Sequence, residues 1–398
     1  QTQKKFSQMN RKQFIILLLV VAVIGAAGLM VHQRNQQSWQ AAGDAIGQKL
    51  LPNLAINDIA QIHIQSGTNA LNLIKQNDRW QVKERDGYPA DFSKISELML
   101  KLADLKVVQS EQIGPSQLGR FELLSPGSGT NAGTLVEFKD KTGKTLNTLL
   151  LGKKHLQKPP ANSQFGGMGG EGWPDGRYVM VGTGAKSVDV ISDPLEAVEP
   201  QPAQWLDKEF LTIQNPRTIT AQFPEATNSW KLTRASETNE WQLADAKPDE
   251  KLDSTKISSV TSPFSSVNFS DVMPRQPGDA SNRTVLTVEP FDGFTYVAQI
   301  SSKQNDDYPV TFAISATLPN ERLAAKDEKP DDKARLDKTF ADTKTRLTEK
   351  FSKEMTFTNW VYELPAYSVD QILKTRSELL EEPKKDESTK PASPATGE

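Results

Sequence analysis

Ile59-Ala-Gln-Ile-His-Ile64, Leu71-Asn-Leu-Ile74 and Arg79-Trp-Gln-Val82, closed by Pro89-Ala-Asp91, are the stretch on which the fold turns. The three runs alternate apolar and polar residues with period two, the pattern of strands with one face covered. Asn77-Asp78 is the turn between the second and third. Asp91 is placed as a helix N-cap. Behind it Ile95, Leu98, Met99, Leu102 and Leu105 form a stripe of period 3.6. The expectation is an antiparallel sheet with one long helix on a face.

The same order recurs about 160 residues later. Thr218–Phe223, Trp230–Thr233 and Glu240–Leu243 read as strands, and Leu252-Asp-Ser-Thr-Lys-Ile257 repeats the helix opening. Trp80 and Trp241 lie 161 apart, and Asp91 and Asp253 lie 162 apart, as do Lys94 and Lys256. Downstream, Thr134–Phe138 and Thr145–Leu151 flank Lys141-Thr-Gly143, while Thr284–Val288 and Phe294–Ile300 flank Asp292-Gly293, so each half holds a further hairpin. Arg177–Val181 matches Tyr308–Ile314, and Trp205-Leu206 is paired with Trp360-Val361. Recurrence of Trp80, Trp241, Trp205 and Trp360 reads as packing. The body is therefore α+β, with two tandem units at 52–208 and 212–376. Ser262-Pro263 interrupts the second helix, which should be shorter or kinked.

Outside the body, Phe14 to Val31 is an 18-residue run without a charge. As a helix it spans about 27 Å, close to one bilayer core. Phe14, Leu18, Val21, Gly25 and Val31 mark out this anchor. Leu29, Met30 and Val31 continue it past the small residues 25–28, which favours an uncleaved transmembrane helix over a cleaved signal peptide. Lys4, Lys5, Arg11 and Lys12 precede it, whereas only Arg34 follows closely. The basic residues 1–13 then face the cytoplasm, and the linker 32–51 leads into the outer aqueous space. In a bacterium this means an inner-membrane, single-pass protein with most of its mass in the periplasm. The tail 380–398 lacks the apolar residues to form a core and reads as disordered.

Composition narrows the chemistry. The net charge of −3 over 398 residues gives no basic field for nucleic acid. The chain has no Cys, which removes disulfides, thiolate metal sites and Cys nucleophiles. Its His residues, His32, His63 and His155, are scattered, and no metal-ligand spacing appears. Val181-Gly-Thr-Gly-Ala-Lys-Ser187 resembles a phosphate loop but has Met180 and Ala185 where the two required Gly would stand, so it reads as a hairpin turn and no bound nucleotide is expected. Asp306-Asp307 and Asp331-Asp332 sit in polar loops and read as solvated turns rather than an acid/base pair. Neither a catalytic residue nor a cofactor or metal ligand is assigned.

Two insertions stand apart. Ser163–Gly176 is glycine-dense and expected to be a loop; its Phe165, Met168 and Trp173 are the candidate partner contacts. Arg322–Lys353 is charged, with Leu336, Phe340, Leu347 and Phe351 on one helical face. Lys153, Lys154 and Lys158 form a small basic cluster that reads as a solvated loop.

Several phrases carry a family resemblance: Leu51-Pro52 ahead of Ile59-x-x-Ile62, the Arg79-Trp80-x-Val82 strand, Tyr88-Pro89-Ala-Asp91, and the closing Leu364-Pro365-Ala-Tyr-Ser-Val369-Asp-Gln-Ile372. Across most of 50–375 the chain resembles the bacterial domain-of-unknown-function 4340 family. That resemblance implies a single-span envelope protein working beside gliding-type ABC-2 transporters. Its implied partners are the ABC-2 permease, the ATP-binding subunit and a gliding-type auxiliary protein. The expected function is a non-enzymatic auxiliary or scaffold subunit. The competing class is an envelope hydrolase or a polysaccharide- or lipid-binding protein.

Overall fold

The computed structural model describes residues 45–157, 173–184, 187–275, 282–324 and 328–382, together with Val23, Gly25, Ala26 and Leu29. Those four are helical and exposed, and no described helix is long and apolar enough to cross a membrane. Phe14, Leu18, Val21 and Val31 of the expected anchor lie outside the described residues, as do the basic N-terminus and the tail beyond Glu382. The fold is α+β with two antiparallel sheets, and the chain divides into two units between Trp205 and Leu206.

In the first unit β1 (Gln61–Ser66), β2 (Asn69–Gln76), β3 (Arg79–Val82) and β4 (Tyr88–Pro89) precede helix α1 (Phe92–Asp104). Then follow β5 (Val107–Gln112), β6 (Thr134–Lys139), β7 (Thr145–Gln157), β8 (Trp173–Val181) and β9 (Ser187–Ile191). The sheet order is β4-β3-β2-β1-β6-β7-β8-β9-β5. Asn77 and Asp78 both take positive φ (49° and 61°), the two-residue turn whose twist suits a hairpin. The Asp91 carboxylate accepts the N–H groups of Ser93 and Lys94, which starts α1 where the sequence places it. Ile95, Leu98, Met99 and Leu102 are its buried face. Ile62, Ile64, Leu71, Leu73, Val82, Val136 and Phe138 are the buried positions of the sheet. Leu149, Leu150, Leu151 and Gly152 are buried in succession on β7, so both faces are covered there. The opposite face carries a separate cluster of Leu123, Leu150, Met180 and Val188, flanked by Phe121 and Tyr178.

The second unit holds β10 (Pro216–Gln222), β11 (Trp230–Thr233), β12 (Gln242–Leu243), α2 (Ser254–Ile257) and β13 (Asp271–Pro274). It continues with β14 (Thr284–Pro290), β15 (Phe294–Ile300), β16 (Asp307–Ala316), α3 (Pro330–Glu354) and β17 (Trp360–Pro365). Its order, β12-β11-β10-β14-β15-β16-β17-β13, repeats that of the first sheet strand for strand, with β4 alone lacking a counterpart. Registers agree as well. Ile62↔Leu73 and Ile64↔Leu71 become Ile219↔Leu232 and Ala221↔Trp230. The second pair exchanges two medium side chains for one small and one large, all buried, which conserves volume at one core position.

Each unit has one long helix, and the second copy of the capped helix is shorter, as Ser262-Pro263 implied, but the two long helices do not match. Asp253 caps α2 as Asp91 caps α1, but α2 stops after four residues. Ser258 and Thr261 turn their hydroxyls onto the carbonyls of Thr255 and Ser258. Those bonds compete with helix continuation, and Pro263 disfavours helical backbone at Ser262. The long helix of this unit is instead α3, inside the charged insertion. Its half-buried positions include Leu336, Phe340, Leu347 and Phe351, the thin stripe read from the sequence. Beneath its C-terminal end Phe210 meets the rings of Phe269, Phe312, Phe357 and Tyr362 at centroid distances of 4.6–5.6 Å.

The matching of Trp205-Leu206 with Trp360-Val361 is corrected. Trp360 opens β17, the counterpart of β9. The counterpart of Trp205 is Leu379: the Asp91 N–H donates to the Trp205 carbonyl, and the Asp253 N–H to that of Leu379. Lys94 and Lys256 close the same locks, donating Nζ to the carbonyls of Gln204 (2.6 Å) and Leu380 (2.9 Å). Each helix opening is thus pinned to the last turn of its own unit.

Candidate functional site

The polar groups singled out from the sequence are engaged in local braces. His63 Nδ1 lies 2.8 Å from Asn72 Oδ1, and Asn72 Nδ2 donates to Glu84 Oε1 at 2.7 Å. His155 Nδ1 lies 2.6 Å from Asp175 Oδ1, and its ring lies beside that of Tyr178. Lys153 and Lys154 are strand residues of β7 rather than a solvated loop: Lys153 sits over the rings of Phe121 and Tyr178, Lys154 pairs with Glu196 at 2.8 Å, and Lys158 lies outside the described residues. Asp307 accepts from Ser270 Oγ at 2.7 Å. Asp331 and Asp332 are helical rather than loop residues: they occupy the first turn of α3, where the helix dipole favours carboxylates. Residues 182–184 belong to the β8–β9 connection, as a hairpin turn requires. Among the described residues no group of three His, Asp or Glu is placed to hold a metal ion.

The candidate partner loop is corrected in its last part. Trp173, Pro174, Asp175 and Gly176 are strand residues of β8, paired with β7 through Gln157↔Trp173 and His155↔Gly176. Gly176 is buried, and a Cβ there would stand 2.3 Å from the Ile191 carbonyl oxygen, so close strand packing rather than a loop accounts for this glycine. Trp173 is 59 % exposed. Phe165 and Met168 lie outside the described residues.

Two surface features were not legible beforehand. One is a cleft of about 660 Å³ in the second unit, beside the C-terminal half of α3. Its walls mix charges: Lys350 Nζ is 3.1 Å from Asp292 Oδ2, Lys353 pairs with Glu209, and Glu237 and Arg346 line the rim. Lys350 also lies 4.4 Å from the Phe294 ring centroid. Glu354, only 6 % exposed, accepts the Tyr296 O–H at 2.7 Å. Burial pushes the Glu354 carboxyl above its ordinary range, with the Tyr296 hydrogen bond and Lys350 opposing. Burial and the same hydrogen bond push the Tyr296 phenol up. The cleft can hold a polar ligand, but these charges largely neutralise one another.

The second feature is the outer flank of α1. Phe92 and Leu100 are 64 % and 62 % exposed, although they belong to a helix with a well-buried face. Between this flank and the 56–59 turn runs a groove of about 300 Å³, lined by Ile56, Ile59, Trp80, Ile95, Met99 and Lys75. Large apolar side chains left in water at one place on a helix indicate a contact surface.

One sheet edge, by contrast, is guarded. At β13 the Asp271 carboxylate accepts the Val272 N–H at 2.8 Å, and Pro274 has no N–H to give. Such an edge resists an incoming strand. A half-buried acid, Asp189 on β9, stands opposite Ser110 on β5, and partial burial pushes its carboxyl up. Its register counterpart in the second unit is Tyr362, both standing opposite the matched core positions Val179 and Val310.

Comparison with known proteins gives one match. A family model described as domain of unknown function (DUF4340) fits residues 80–287, or 208 of the 398 residues. The match begins at Trp80 in β3 and ends at Thr287 in β14, so it takes in parts of both units. No curated protein and no solved structure matches the chain.

Proposed function

The chain belongs to the DUF4340 family, and from that membership we propose that it is a non-enzymatic, membrane-anchored auxiliary subunit of an ABC-2-type transporter complex in the cell envelope. Residues 14–31 cross the inner membrane once, the N-terminus faces the cytoplasm, and the two units stand in the periplasm as a scaffold. The permease, the ATP-binding subunit and a gliding-type auxiliary protein are its partners, and transport energy comes from the ATP-binding subunit.

The observation that carries this reading is where the polar side chains spend their hydrogen bonds. His63, His155, Asp307 and Glu354 each close a brace within one unit. By contrast, the apolar side chains of Phe92, Leu100 and Trp173 are presented to solvent. That division suits a body that binds neighbours.

The test has two arms. Alkaline phosphatase fused after residue 50 is active if the body is periplasmic and inactive if the topology is reversed. Purification from detergent-solubilised membranes brings down a stoichiometric permease and ATP-binding subunit. A solitary protein with hydrolytic activity, or one that retains polysaccharide through the cleft beside α3, overturns the scaffold reading in favour of an enzyme or binding protein.

A further inference from the structure

The repeat supplies a control for the outer flank of α1. Asp91, Lys94 and Ile95 correspond to Asp253, Lys256 and Ile257, with the same caps and the same lysine locks. Counting on at that spacing of 162, Phe92, Ser96 and Leu100 fall on Ser254, Ser258 and Ser262. The second copy has serine at all three positions, and Ser254 sits on the matched opening turn, while its helix ends at Ile257 ahead of Ser258 and Ser262. The second unit opens its helix with Ser254 where the first has Phe92, so the cap and lysine lock do not require the aromatic ring, and Phe92 and Leu100 lie largely in water on the rim of the groove. We propose that the Phe92–Leu100 flank of α1, with the groove beside Ile56, docks an apolar helix face of a membrane-embedded partner protein.

Three observations choose this occupant. The first is where the chain outside the described body begins. Leu50 N–H donates to the Leu105 carbonyl at 2.8 Å, and Lys49 pairs with Asp104 at 3.1 Å, so the segment leading back to residues 14–31 leaves beside the C-terminal end of α1. The 13 residues 32–44 reach at most about 45 Å, which keeps α1 near the bilayer, on the anchored reading proposed above. The second is size. Two exposed apolar side chains fall far short of the roughly 800 Å² per partner of a stable interface, so a freely diffusing protein would bind weakly. A partner confined to the same membrane gains the missing affinity through effective concentration. The third is charge. Lys94 is held by the Gln204 carbonyl, Lys101 by Glu97 and Asp193, Lys49 by Asp104, and Lys75 in the groove by Asp78 at 3.5 Å. The lysines around the flank are thus already engaged, which disfavours an anionic lipid surface as the occupant.

The experiment uses the full chain in its native membranes. A benzophenone amino acid is placed at Ser96, between the two apolar residues, and in a control at Ser258. The expected result is an adduct of Ser96, but not of Ser258, with an integral membrane protein that also copurifies stoichiometrically. Phe92→Ser/Leu100→Ser, which installs the second copy's residues, lowers that adduct at least tenfold and leaves the melting temperature unchanged. An unchanged yield in the serine pair, an adduct to lipid only, or an adduct to a second copy overturns the proposal. So does a fall in melting temperature, which would give the two side chains a structural role. If carbonate washing releases the chain from membranes, the anchored reading itself fails. If the chain stays membrane-bound while the serine pair crosslinks normally, the docking inference alone fails.

Discussion

The Tyr296 phenol on β15 donates a 2.7 Å hydrogen bond to the Glu354 carboxylate at the end of α3, which ties the inserted helix to the core of the second unit through a buried acid. Its pH behaviour follows from the raised carboxyl pKa. A group that holds its proton more tightly when folded contributes stability below its ordinary pKa, and that contribution is lost as pH rises through the folded value. Wild-type protein should therefore lose stability through this site between acid and neutral pH. Glu354→Gln should flatten the loss, its advantage being largest near pH 8 and absent near pH 4. Tyr296→Phe removes the donor from a buried acceptor and should cost roughly 1–3 kcal/mol. Melting temperature against pH for the three proteins decides the matter, and a wild-type advantage over Glu354→Gln that grows with pH would refute it.

Arg376 braces the other end of the unit. It reaches Asp245 at 2.9 and 3.0 Å and Glu250 at 2.7 Å. The Arg376 hydrogen bond, chiefly, holds the Glu250 carboxyl down, from an ordinary 4.5 to about 2. Here the sign is opposite: stability is present above the ordinary pKa and lost as pH falls toward the folded value. Acid titration of folding should show a smaller slope between pH 4.5 and 2 in Glu250→Gln than in wild type. Equal slopes would mean that the pair is broken in solution.

Trp80 and Trp241 occupy matched positions but unequal surroundings. Trp80 is 7 % exposed in the core, so Trp80→Ala should cost about 3–5 kcal/mol. Trp241 is half-buried beneath the Arg234 guanidinium, 4.8 Å from the ring centroid, and truncation there should cost only about 1–2 kcal/mol. Urea denaturation of the two variants should therefore separate clearly. Equal losses would show that the equivalence read from the sequence extends to packing.

The Ala221↔Trp230 pair makes a volume prediction. Ala221→Ile crowds the indole and should cost about 1–3 kcal/mol. Combined with Trp230→Leu it recreates the Ile64↔Leu71 arrangement, and the double variant should lose less than the two single losses added. Strict additivity in a double-mutant cycle would show that the neighbours do not share one space.

What could be read in the sequence is local. Alternation along β1, β2 and β3, the Asn77-Asp78 turn, the Asp91 and Asp253 caps and the stripe along α3 all depend on residues within a turn or two of each other. The 162-residue spacing of Lys94 and Lys256 was visible too, but not its purpose. Each lysine reaches a carbonyl more than 100 residues away, and no local pattern encodes such a partner.

The candidate site divided in the same way. Trp173 could be picked out as an aromatic beside a glycine-dense run, yet its place on β8 depends on pairing with Gln157. Phe92 and Leu100 look like ordinary members of an apolar helix in sequence, and their exposure appears only once the buried stripe is fixed. By itself the sequence determined a duplicated α+β body with strands, turns and caps in order, because periodicity and backbone preference act over a few residues. Only the tertiary structure decided that β5 and β13 close their sheets beside β9 and β17, that Leu379 answers Trp205, and which apolar side chains stay wet. Edge pairing across 80 residues and solvent exposure are properties of the assembled surface, and no short stretch of chain carries them.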